Sequence, residues 1–242
     1  MESVNNSGQF LRINLEGIFA QLDEQLEKNI IKREPVPYDV TDMKRLLMRI
    51  GQTRCGSERF TIDEDNKFAY ENIFKWCIGD ESMLAVNPFS GNIEKGSLTK
   101  GLYIAGPTGT GKTMCLNIFR DFLDKVGVMV TIPGYGRAQL AWRTFFAQDL
   151  FQNCVEYGDV RWVQDYPSIC IQDAGSEVRE AVRMGTRYDT IGQILQRRGE
   201  TRYMTFLTSN DKISENRYGE RVASRLCKMC NYYEIKGKDR RK

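Results

Sequence analysis

Between the apolar segment Leu102 to Ala105 and an amphipathic stretch from Thr113 to Val126 lies the run Gly106-Pro107-Thr108-Gly109-Thr110-Gly111-Lys112-Thr113. This G-x-x-x-x-G-K-T spacing constrains the fold more than any other feature, because it works as the turn from a strand into a helix. Its glycines let backbone amides turn inward around an anion, and the first turn of the helix adds its positive end. In that geometry Lys112 reaches the β and γ phosphates of a nucleoside triphosphate and the Thr113 hydroxyl holds Mg2+. Gly106, Pro107, Thr108, Gly109, Thr110, Gly111, Lys112, Thr113 and Met114 are therefore the candidate nucleotide-binding residues.

From Gly101 onward, short apolar segments alternate with amphipathic ones. The strands are expected at Leu102 to Ala105, Val128 to Ile132, Ile169 to Ile171 and Met204 to Thr208, and the helices at Thr113 to Val126, Arg137 to Val155 and Tyr188 to Arg198. Such alternation predicts an α/β fold with a parallel sheet between helices. On the expected helix from Arg137, residues Trp142, Phe145 and Phe146 read as core. Histidine is absent, which excludes Ser-His-Asp and Cys-His nucleophilic sites and zinc held by imidazole. Seven cysteines in largely apolar contexts read as reduced core thiols of a cytoplasmic protein. The pair Cys227 and Cys230 lacks the second pair a closed zinc site needs and reads as packing. The opening residues carry no signal-peptide pattern, and no apolar run is long enough to span a membrane. With 35 Lys plus Arg against 32 Asp plus Glu, net charge alone names no partner.

The first 57 residues have a different pattern. Leu11, Leu15, Ile18, Phe19, Leu22, Leu26 and Ile30 recur at helical spacing up to Pro35-Val36-Pro37, and a second helix from about Thr41 carries Met43, Leu46, Leu47 and Ile50. These two could fold back as a helical hairpin, with their stripes serving either an intramolecular core or a docking surface. A polar stretch then suggests a domain boundary, with a helical region over 1–57 and the nucleotide-binding core over 58–242. A further helix carries Phe68, Ile73, Trp76 and Cys77, and a loop follows near Asn87 to Gly96.

A hydrolysing site also needs an acidic group at the end of a second strand, and Ile169-Cys170-Ile171-Gln172-Asp173 supplies the candidate. From Asp173-Ala174-Gly175-Ser176-Glu177 the chain resembles the DnaC-type AAA+ helicase loaders and the related IstB transposition ATPases, which carry a strand followed by D-[DE]-x-G. Thr205-Phe206-Leu207-Thr208-Ser209-Asn210 is similar to the family's sensor 1 strand, and Tyr218-Gly219-Glu220-Arg221-Val222-Ala223-Ser224-Arg225-Leu226 to its box VII. The end Gly237-Lys238-Asp239-Arg240-Arg241-Lys242 resembles the closing G-x-x-Y-R, with Asp239 in place of the aromatic. The resemblance covers about residues 60–242.

That resemblance implies an AAA+ core without a C-terminal lid domain, preceded by an N-terminal region that grips a replicative helicase. It further implies an ATP- and Mg2+-dependent loader that oligomerises through nucleotide-bridged interfaces and binds single-stranded DNA during replication. Asn210 becomes the sensor near the γ-phosphate, Arg225 the arginine finger offered to a neighbouring subunit with Arg221 beside it, and Arg240 the arginine that stands near the nucleotide. Arg179, Arg183 and Arg187 recur every four residues and are expected to line one helical face toward DNA, with Arg197 and Arg198 closing the next helix. One departure matters: Gln172 occupies the first Walker B acidic position and Asp173 the second. Either Asp173 serves the metal, with Glu177 or no residue as base, or nucleotide acts mainly as a binding switch. An IstB-like transposition helper and a non-hydrolysing nucleotide-gated module remain the alternatives.

Overall fold

The computed structural model describes residues 14–28, 30–56, 60–178, 181–183, 186–201 and 203–241. The N-terminal part holds α1 (Leu15–Lys28), β1 (Lys32–Arg33) and α2 (Val40–Cys55). Then follow α3 (Lys67–Ile78), β2 (Leu84–Val86), β3 (Ile93–Lys95), β4 (Gly101–Ala105), α4 (Lys112–Val126) and β5 (Met129–Ile132). The middle comprises β6 (Gly136–Gln139), β7 (Arg143–Phe146), α5 (Ala147–Tyr157), β8 (Ser168–Ala174), β9 (Ala181–Arg183) and β10 (Thr186–Tyr188). The chain continues through α6 (Thr190–Arg198), β11 (Met204–Ser209), α7 (Glu220–Met229) and β12 (Cys230–Glu234).

The central sheet has the order β3-β2-β12-β4-β11-β8-β7, parallel from β12 to β7 and antiparallel at the β2 and β3 edge. Strand β4 is buried at every position because helices cover both faces, as a continuous apolar run in a parallel sheet requires. One core joins α2, α3 and α4 to the sheet, with Trp76 edge-on to Phe206 at 5.6 Å and Trp142 stacked on Phe206 at 4.2 Å. A second core, under α5, α6 and α7, lies around Ile171, Ile194 and Leu207. Within the described residues no helix follows β12, and no helix is long and apolar enough to cross a membrane.

Several expectations are corrected. Arg137 to Val155 is not one helix: its first part forms β6 and β7, because the β-favouring run Thr144-Phe145-Phe146 pairs with β8 at the sheet edge. Trp142 is buried there, whereas Phe146 is 48% exposed and is not core. Strand β5 forms but joins a separate antiparallel sheet, β1-β5-β6, rather than the parallel one. The stretch near 87–96 includes β3 rather than loop alone.

The two N-terminal helices part company. Asp39 caps α2 by accepting hydrogen bonds from the Thr41 and Asp42 amides at 2.7 and 3.3 Å. From there α2 packs on α4: Met43 and Leu47 enter the main core, a Cβ added to Gly51 would stand 2.3 Å from the Phe60 ring, and Arg54 grips Asp121 with two nitrogens. Helix α1 does not pair with it as a hairpin, and Leu15, Ile18, Phe19 and Leu22 are exposed. Residues 57–59, where the expected boundary falls, lie outside the described residues, as do residues 1–13 and with them Leu11. Between the helices, Arg33 donates to the Trp76 and Leu98 carbonyls at 2.7 and 2.8 Å and lies over the Trp76 ring.

Candidate nucleotide-binding site

The P-loop is shaped by close backbone approaches. At Gly106 (φ 153) a Cβ would stand 2.1 Å from the Ile235 carbonyl oxygen, and at Gly109 (φ 82) it would stand 2.2 Å from the Asp239 carboxylate. Larger residues would push the loop off β12 and the tail behind it. Inside the loop, Thr110 Oγ1 donates to the Pro107 carbonyl at 2.9 Å. Lys112 is nearly buried and its Nζ donates to the Gly106 and Pro107 carbonyls and to Asn210 Oδ1 at 2.8, 2.9 and 2.8 Å. Burial pulls its pKa below the usual lysine value, Asp173 opposes that shift and Arg241 adds to it. An anionic phosphate beside Nζ would favour the charged ammonium and offset that shift.

Strand order explains the contact with Asn210. Strand β11 lies beside β4 with Ser209 opposite Ala105, so the residue after Ser209 emerges next to the P-loop. Asn210 Nδ2 also donates to Thr108 Oγ1 at 3.3 Å, tying the sensor candidate to the loop from both ends of its amide.

One strand further out, β8 separates Gln172 from Asp173. Gln172 is 2% exposed, and its Nε2 donates to Asn117 Oδ1 at 3.3 Å. Asp173 is exposed at φ 55, the one positive-φ residue other than glycine among the described residues, a conformation aspartate tolerates better than most. Its amide donates to Thr208 Oγ1 at 2.9 Å, and its carbonyl accepts from the Ser176 amide and hydroxyl at 3.0 and 2.6 Å. The bend sends the Asp173 side chain into the same cavity as Thr113, Lys112 and Asn210. A carboxylate and a hydroxyl are hard oxygen donors of the kind Mg2+ takes alongside waters and phosphates, so these residues fit the ion.

Glu177 is not available as a base. It is buried, its Oε2 accepts from the Gly175 amide at 2.9 Å, and its Oε1 accepts from the Tyr218 hydroxyl at 2.6 Å. Burial, with Glu177 beside it, holds the Tyr218 phenol far above its ordinary pKa.

The cavity measures about 690 Å3, within the range of about 300–1,000 Å3 typical of ligand clefts. Met114 and the whole segment Thr108 to Thr113 line it, and its far wall comes from Arg54, Cys55, Phe60, Thr61, Asn66 and Tyr70. Residues on both sides of 57 thus share one wall. A larger cleft of about 910 Å3 beside α7 contains no P-loop group and does not mark the nucleotide site.

Arg240 reaches the cavity from the tail. Its amide donates to the Gly109 carbonyl at 3.0 Å and its Nη2 to Asp63 at 2.8 Å, while its buried Nε has no partner among the described residues. Arg241 lines the same cavity, a residue not picked out from sequence although it lies in the basic ending. Asn117 was missed too; it lies one turn after Thr113 on α4 and hence on the same face.

Arg221 and Arg225 are elsewhere. Both lie on α7 and neither lines the cavity; Arg221 is exposed, and Arg225 pairs with Glu200. The helical face expected from Arg179, Arg183 and Arg187 is not formed. Residues Ala181–Arg183 and Thr186–Tyr188 make an antiparallel hairpin, with Arg187 opposite Val182 and Arg183 opposite Thr186, and Arg179 lies outside the described residues. Arg198 is no surface arginine: it is fully buried and donates to Thr205 Oγ1, the Tyr166 carbonyl and the Met204 carbonyl at 2.8, 3.0 and 2.7 Å. Its burial lowers its pKa to about 10, which leaves it charged at neutral pH. All seven cysteines are free, and among the described residues no cluster of three metal-ligating side chains occurs.

The sheet order, the loop after β4 and Asn210 at the end of the adjacent strand define an α/β protein with a P-loop between a central strand and the helix that follows it. Among solved structures, the chain is similar to DnaI at 21% identity with a TM-score of 0.51, covering 81% of this chain and 93% of that one. It is also similar to the DnaC helicase loader at 17% identity and TM-score 0.47, covering 73% and 93% of the two chains. Aquifex aeolicus DnaA bound to AMPPCP aligns at 15% identity and TM-score 0.45, over 75% of this chain and 50% of that one. The likeness to DnaI shows a shared α/β fold with a mostly parallel central sheet between helices. No protein-family model and no curated protein sequence matches the chain.

Proposed function

We propose that this chain is an ATP-binding, Mg2+-dependent AAA+ ATPase that acts as a DnaC-like loader on a replicative DNA helicase and single-stranded DNA in the cytoplasm. The observation that carries the reading is the division of the nucleotide machinery. Lys112, Thr113, Asp173, Asn210 and Arg240 converge on one cavity, while Arg221 and Arg225 stand outside it on α7. A hydrolytic site of this kind is completed when α7 of one subunit meets the cavity of the next, so self-association belongs to the reading. The exposed stripe of α1 supports a partner-gripping role for the N-terminal region, and the β9–β10 hairpin, with Arg183 and Arg187, is the candidate DNA element.

Capture of a hexameric helicase by the full chain, together with ATP hydrolysis stimulated by single-stranded DNA, is the expected result. Capture of a transposase instead would favour an IstB-like helper. A second reading, a nucleotide-gated module without turnover, is favoured by the buried amide at Gln172 and the fully engaged carboxylate of Glu177, which leave Asp173 as the acid in the cavity. Nucleotide binding without magnesium-dependent phosphate release would establish that second reading.

A further inference from the structure

Helix α6 ends at a turn that is rigid for a specific reason. Arg198, fully buried, ties the turn to β11 and to the residue before Pro167 through its three hydrogen bonds, and Thr201 Oγ1 donates back to the Arg198 carbonyl at 2.9 Å. Gly199 and Glu200, the next two residues, face α7 across the α6–α7 contact.

Gly199 has φ −62 and ψ −18, an ordinary right-handed conformation that alanine adopts without strain. Its lack of a side chain is therefore not required by the turn. It is required by Arg225: a Cβ at position 199 would stand 2.5 Å from Arg225 Cδ, 2.7 Å from Cγ and 3.0 Å from Cβ. The arginine stem lies across the bare backbone of Gly199, and its guanidinium then pairs through Nη2 with Glu200 Oε1. Glu200 is largely exposed, so the pair adds little to the stability of the fold. What it changes is the orientation of a long, flexible side chain.

We infer that Gly199 and Glu200 form a cradle that positions Arg225 for delivery to a neighbouring subunit's nucleotide, with Gly199 seating the stem and Glu200 orienting the guanidinium. The inference rests on the proposed role of Arg225 in trans. A finger left free to sample its rotamers would reach a developing charge only part of the time, and a misplacement of about 1 Å can cost about 100-fold in rate. Glu200 engages one nitrogen of the guanidinium and leaves the others to meet phosphate oxygens. It is a positioning residue, acting through Arg225.

Mixed assemblies of the full chain test this. Acceptor subunits carry Arg225→Ala and keep an intact P-loop; donor subunits carry Lys112→Ala and keep the finger. The parent mixture should recover ATP hydrolysis that neither variant shows alone. Glu200→Gln placed in the donor should lower the recovered rate ~10- to 100-fold, Gly199→Ala in the donor should do the same, and Glu200→Asp should restore part of the loss. In the acceptor, where position 225 is alanine, Glu200→Gln has no finger to orient and the recovered rate should stay. A merely structural role would lower the donor's unfolding temperature or its assembly in sedimentation, and a lost rate accompanied by such a loss would overturn the cradle. Equal losses in donor and acceptor, or no loss in the donor, would overturn the cradle while the finger stands. If the parent mixture recovers nothing although sedimentation shows normal assembly, the trans reading of Arg225 fails and the cradle fails with it.

Discussion

The P-loop cavity and the α6–α7 corner treat their charged groups in opposite ways. At the cavity, Lys112 is buried against carbonyls and a sensor amide within its own chain, with all its donors engaged. At the corner, Arg225 is tethered to one exposed carboxylate and Arg221 projects into solvent. The first region turns its cation inward onto its own loop; the second leaves its cations at the surface. Under the proposed function, this contrast assigns to each subunit the binding half of one nucleotide site and the completing half of another.

The largest effect should come from breaking the binding half. Lys112→Ala removes the ammonium that meets the phosphates, about 2–5 kcal/mol of charge-paired contact, and opens no apolar cavity. Nucleotide titration should show affinity reduced by about 30-fold or more, with the unfolding temperature little changed. Unaltered affinity would remove the P-loop from the site. Next comes the completing half. Arg225→Ala should leave nucleotide affinity of the isolated subunit unchanged and lower hydrolysis in the assembly by about a thousandfold or more. An equal loss of affinity in dilute, dissociated protein would mean the arginine acts on its own chain.

Gln172→Asp gives a smaller and more revealing effect. It places a second acid beside Asp173 and should raise hydrolysis by about tenfold if the missing charge limits the rate, at a stability cost of about 1–3 kcal/mol for a buried carboxylate facing Asn117. A faster enzyme that melts earlier is the expected pair of observations. No rise in rate, with Asp173→Asn inactive, would make Asp173 the sole metal-side acid. The smallest effect is expected at the hairpin. Arg183→Ala with Arg187→Ala should weaken single-stranded DNA binding and reduce its salt slope by about 0.7 for each phosphate no longer neutralised. A parent-like slope would move the DNA path elsewhere on the molecule.

The P-loop cavity is far more legible in sequence than the α6–α7 corner. Gly106 to Thr113 and Thr205 to Asn210 are contiguous, and their chemistry follows from local spacing. Asp173 is legible because it lies just past the apolar run Ile169 to Ile171. What escaped depends on contacts between distant segments: Asp63 holding Arg240, Asn117 meeting Gln172, and Tyr218 donating to Glu177. Periodicity misled at Arg183 and Arg187, where spacing by four suits a helix, while Gly185 between two short segments is also a hairpin signal. It misled again from Arg137, where pairing of Thr144 and Phe145 with β8 overrode helical spacing. For α1 and α2 both stripes were visible, but whether a stripe finds a partner within the chain depends on what lies opposite. Helix α4 lies opposite α2, while Leu15, Ile18, Phe19 and Leu22 of α1 face solvent.

If, as the proposed function has it, each chain holds two complementary halves of different sites, specific ATPase activity at saturating ATP and Mg2+ depends on protein concentration. Activity per subunit should rise with concentration as subunits associate and then level off, and Arg225→Ala should keep it flat and low throughout. Parent activity that is full and independent of concentration down to dilutions where sedimentation shows only monomers would contradict the claim.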